Sequence, residues 1–66
     1  MTRLNTEERK ETLAYSVTEF AAASGFSEWT IREAIKNSHL VAKRHGKRLV
    51  ILPDDGRTWL ESLEDA

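Results

Sequence analysis

Sixty-six residues with 39% hydrophobic side chains allow one small domain with a thin core and exclude a deep substrate cavity. The absence of cysteine excludes disulfides, zinc–thiolate sites and thiol nucleophiles, and fits a reducing compartment. A formal net charge of −1 argues against a generally basic nucleic-acid binder, and no apolar run approaches the roughly 20 residues that span a bilayer.

Residues 1–13 read as an N-terminal arm. The stretch is polar and lacks the apolar middle of a secretion signal, which predicts a soluble chain in the cytoplasm. Asn5 and Glu8 are spaced to cap a short helix, but the thin apolar pattern fits partial disorder equally well. Leu13 is the arm's residue for docking on the body. The body, residues 14–64, opens with a capping box in which Ser16 and Glu19 satisfy each other's free amides. A two-turn helix over 17–24 follows, stopped by Gly25 in the left-handed conformation. Ser27 starts a second helix over about 28–37, with Phe26 placed to staple onto Ile31 and with Ile31, Ala34 and Ile35 on the buried stripe. Asn37 and Ser38 end it less firmly than a glycine would.

From Leu40 the pattern changes to strand. Val41–Arg44 and Lys47–Ile51 form a β-hairpin around His45 and Gly46. Pro53 and Asp54 open a last helix whose Trp59, Leu60 and Leu63 share a face, with Gly56 weakening its first turn. The fold class is therefore mainly α with a small hairpin, in the order helix, turn, helix, hairpin, helix.

Ala21, Gly25 and Ile31 have the spacing of a helix-turn-helix unit: a small residue at the crossing, a glycine in the turn, an aliphatic plug. A plain helical hairpin satisfies the same spacing. The outward face of the second helix carries Trp29, Arg32, Glu33 and Lys36, which suits a groove of DNA: Arg32 for a guanine edge or phosphate, Lys36 for phosphate. Trp29 lies against sugars or a thymine methyl in that setting, or else packs on the stems of Arg32 and Lys36. The charge is also segregated. Residues 32–48 carry Arg32, Lys36, Lys43, Arg44, Lys47 and Arg48 against Glu33 alone, whereas 49–66 carry Arg57 against Asp54, Asp55, Glu61, Glu64 and Asp65. A polyanion responds to that local field rather than to the total. Lys43, Arg44, His45, Lys47 and Arg48 around Gly46 exceed the few edge lysines that discourage aggregation, and make a compact cation for a phosphate backbone or minor groove.

Tyr15-Ser16-Val17-Thr18-Glu19, Ser24-Gly25-Phe26-Ser27, Thr30-Ile31-Arg32, Ala34-Ile35, Leu40-Val41-Ala42, Gly46-Lys47-Arg48, Ile51 and Trp59-Leu60 stand in an ordered series. That series resembles the winged helix-turn-helix of phage excisionases and MerR-type regulators over roughly residues 14–64. The resemblance implies a DNA-binding recognition helix carrying Ser27, Glu28, Trp29, Arg32, Glu33 and Lys36. It implies a DNA-binding wing at Lys43, Arg44, His45, Gly46, Lys47 and Arg48. It also implies double-stranded DNA and an integrase as partners, and head-to-tail self-association on DNA, in a bacterial or phage-infected cell. Sixty-six residues leave no room for the regulators' coiled coil and effector domain, so the expected function is that of an excisionase that bends attachment-site DNA. The alternatives are a small phage or mobile-element transcriptional repressor and a protein-interaction module using Trp29 and the acidic last helix. The chain departs from the family at Ser24, at Asn37-Ser38, at Gly56, and in the acids Glu28 and Glu33. Gly56, where the family has an aliphatic residue, predicts a loosely anchored last helix.

An enzyme is not expected. His39 and His45 lack ligand or base partners at suitable spacing, Asp54-Asp55 reads as a helix cap, and Gly25, Gly46 and Gly56 are too isolated to cradle a phosphate. No cofactor or metal is expected.

Overall fold

The computed structural model describes residues 12–66. Their elements are strand β1 (Tyr15–Ser16), helix α1 (Val17–Ser24), helix α2 (Glu28–Lys36), strands β2 (Lys43–His45) and β3 (Arg48–Ile51), and helix α3 (Pro53–Glu61). Most of the expected arm, including Asn5 and Glu8, lies outside the described residues. Leu13, at its end, is 79% exposed and stays in solvent instead of docking on the body. No helix among the described residues is long and apolar enough to cross a membrane.

Local hydrogen bonds set the ends of α1 and α2. The Ser16 hydroxyl accepts from the Glu19 N–H at 3.0 Å, and the Ser16 N–H donates to Glu19 Oε1 at 2.9 Å, so the expected capping box is complete. Gly25 closes α1 at φ 84°, its N–H donating to the Ala21 carbonyl. The Ser27 hydroxyl accepts from the Thr30 N–H at 3.1 Å and begins α2, which ends at Lys36, one residue short of expectation. Beyond it Ser38 takes the left-handed position, with φ 63°. The Ser38 N–H donates to the Ile35 carbonyl and the His39 N–H to the Ala34 carbonyl, which together close a Schellman motif on a serine.

The sheet has three antiparallel strands in the order β1-β3-β2, so the expected hairpin gains a third member. Tyr15 pairs with Ile51 and Ser16 with Val50, while His45 pairs with Arg48 around Gly46 and Lys47. A two-residue strand carries no alternation to read, and its pairing is with residues far along the chain. Both hairpin strands are shorter than expected. Gly46, alone of the two loop residues, has positive φ, the sign pattern of a type II′ turn.

The core consists of Val17, Phe20, Ala21, Ile31, Ala34, Leu40, Ile51 and Trp59. Ile31, Leu40 and Ile51 are fully buried and each contributes about 1.5–3 kcal/mol by leaving water. Trp59 brings α3 into this core, with its ring centroid 6.2 Å from Phe20 and 5.3 Å from Phe26. Phe26 thus meets the last helix, a contact that its local sequence does not announce. Leu60 and Leu63, expected on the same face as Trp59, remain partly exposed. Two expectations for α3 need correction. Its N-cap is Leu52, with no side-chain cap, because the helix begins at Pro53 and both Asp54 and Asp55 lie inside its first turn. Gly56 does not loosen the helix, because it is buried and its missing side chain is what admits the Phe20 ring.

Candidate functional site

α2 divides along its length. Ile31 and Ala34 are buried and Ile35 packs against the core, whereas Trp29, Arg32, Glu33 and Lys36 recur at helical spacing on the other side. Trp29 is 70% exposed, Arg32 and Lys36 are exposed, and Glu33 is half-buried. Glu28 and Arg32 approach to 3.9 Å one turn apart, a solvent-exposed pair too long for a hydrogen bond and worth little to the helix. The Ser27 hydroxyl is engaged within the chain, capping Thr30 through the backbone and lying 3.0 Å from its hydroxyl.

The hairpin holds its cations in solvent. Lys43, Arg44, His45, Gly46, Lys47 and Arg48 are all exposed. Leu49 and Ile51 point to the core, so strand alternation and the register set Arg48 on the opposite face, together with its partner His45 and with Lys43. No carboxylate among the described residues forms an ion pair with Lys36, Lys43, Arg44, Lys47 or Arg48.

The tertiary structure joins the two basic regions. Arg32 from α2 and Lys47 and Arg48 from the hairpin line one open cleft of about 150 Å³, completed by Leu49 and by Ser16, Val17 and Thr18 at the start of α1. At the same helix end the Glu19 carboxylate accepts from the Ser16 N–H and offsets the helix dipole. The sequence marks Ser16 only as a cap and gives Val17 and Thr18 no site signal. Nothing local marks them, since they reach the cleft through the pairing of β1 with β3. Lys36, Lys43, Arg44 and His45 lie outside this cleft. Among the described residues no group of three His, Asp or Glu side chains could hold a metal ion. The arrangement suits attraction of an anionic, extended ligand across α2 and the hairpin.

No protein-family model matches the chain, and comparison with curated proteins and with solved structures gave no match.

Proposed function

We propose that the chain is a winged helix-turn-helix protein that binds double-stranded DNA, with α2 as its recognition helix and the β2–β3 hairpin as its wing. The observation that carries this reading is the cleft shared by Arg32, Lys47 and Arg48. Like charges crowded around one tight turn repel one another and weaken the hairpin. A phosphate backbone running past α2 and the hairpin converts that repulsion into attraction and releases counterions. In this reading Lys36, Lys43, Arg44, His45, Lys47 and Arg48 contact phosphates and fix the register. Arg32, one turn from Glu28, reads a guanine edge, and Glu33 accepts from a base amine.

The resemblance of the ordered motif series to phage excisionases supports a finer role. Copies bind side by side on repeated sites, bend the DNA and direct an integrase toward excision. Selection of bound duplexes from a random pool at moderate salt tests both levels. A short motif in direct repeats is expected, and the double variant Lys47→Ala/Arg48→Ala should lose its enrichment. A motif recovered only as single copies would remove the excision role and favour a transcriptional repressor. No enrichment above background would remove sequence-specific DNA binding.

A further inference from the structure

We infer that His45 couples DNA binding to pH: the hairpin takes up a proton there from solvent when it engages the phosphate backbone. The inference rests on the DNA-binding reading above and adds a regulatory property to the same site.

The sheet fixes the surroundings of His45. β2 is an outer strand of the sheet, with β3 as its one neighbour. The register sets His45 directly across from Arg48, where opposed residues hold their Cβ atoms roughly 5 Å apart. Lys43, two residues back along β2, shares that face. Arg44 and Lys47 adjoin the pair along the chain, and all of these residues are exposed. No carboxylate among the described residues pairs with any of them, since the ion pairs there join Glu28 to Arg32 and Asp54 to Arg57.

Lysine and arginine keep their charge throughout the neutral range, whereas an imidazole ordinarily changes its charge at about pH 6.5. A proton on His45 sets like charge opposite Arg48, and repulsion across a strand pair costs the free hairpin. A phosphate lying over the His45–Arg48 pair supplies the opposing charge that the chain itself does not. The imidazolium also donates from both ring nitrogens where the neutral ring donates from one, and its bonds to an anion are charge-assisted. Protonation and DNA binding therefore favour each other, and by reciprocity affinity rises as pH falls through the imidazole range.

The second histidine provides the control. His39 is exposed beyond the end of α2, its N–H donating to the Ala34 carbonyl. It belongs neither to the hairpin pairing nor to the cleft of Arg32, Lys47 and Arg48.

The test measures Kd of the full chain for an enriched duplex by anisotropy, over a salt series at about pH 8 and about pH 5.5, which bracket imidazole titration. One added phosphate contact raises affinity about eightfold at about 0.1 M salt and steepens the slope of log affinity against log salt by about 0.9. Wild type should show both changes at the lower pH. His45→Gln should show neither, His39→Gln should show both, and His45→Arg should hold the steeper slope at either pH. Equal wild-type affinity and slope at the two pH values would overturn the inference. A pH effect that survives in His45→Gln and His45→Arg, or is lost in His39→Gln, would overturn it too. Failure of the pool to yield any enriched duplex is a different result: it removes the DNA-binding reading, and the coupling falls with it.

Discussion

The ring of Phe20 rests on the backbone of Gly56 so closely that a Cβ built on Gly56 would stand 2.4 Å from Cε1 and 2.9 Å from Cζ. Helix propensity alone favours alanine over glycine by about 1 kcal/mol at such a position. The contact reverses that sign, because Phe20 is itself held between Tyr15 and Trp59, with ring centroids at 5.8 and 6.2 Å. Gly56→Ala should therefore destabilise the fold by about 1–3 kcal/mol, the usual range for overpacking. Urea unfolding followed by far-ultraviolet circular dichroism measures it. A raised midpoint would mean that Phe20 yields freely and that propensity wins.

Ser38 holds a conformation that glycine adopts without strain, at φ 63°. The left-handed region costs a non-glycine residue about 1–2 kcal/mol, and a glycine's greater freedom in the unfolded chain returns part of that. Ser38→Gly should stabilise the protein by about 0.5–1 kcal/mol, seen as a higher thermal midpoint. An unchanged or lower midpoint would show that the Ser38 side chain contributes more than its backbone costs.

Ser27→Ala separates a structural contribution from a contact with the ligand. Loss of the hydroxyl that caps Thr30 should cost about 1 kcal/mol of stability. If capping is its whole contribution, DNA affinity corrected for the folded fraction stays that of the wild type. A further loss of affinity on selected duplexes, with stability accounted for, would assign Ser27 a contact of its own.

Arg32 and Lys47 line the same cleft but should fail differently. Arg32→Ala should weaken binding by about 1–3 kcal/mol on the selected site and relax preference at one base pair. Lys47→Ala should weaken binding on every sequence alike, and should lower the slope of log affinity against log salt by about one. Equal loss from Arg32→Ala on selected and random duplexes would reassign it to phosphate.

Where a structural decision depends on neighbours within one helical turn, the sequence shows it. Ser16 with Glu19, Gly25 and Ser27 mark helix ends through hydrogen bonds spanning three or four residues, and α1 occupies the expected 17–24. The glycine turn at Gly46 between two short strand-like runs likewise marks the hairpin, because a two-residue turn is itself a local object. The polar face of α2 is legible for the same reason, as helical spacing alone groups Trp29, Arg32, Glu33 and Lys36.

Composition, caps and periodicity thus determine that the described residues make three helices and a basic hairpin, and which side of α2 faces solvent. They leave open how those pieces meet. The pairing of Tyr15 and Ser16 with Ile51 and Val50 makes a sheet of what reads as a hairpin. The Phe20 ring makes Gly56 an anchor where its propensity suggests a weak turn. The convergence of Arg32 with Lys47 and Arg48 turns two separate basic stretches into one cleft. Each of these depends on contacts between residues distant along the chain. Such contacts follow from the mutual packing of the elements, which no local hydrogen bond or period encodes.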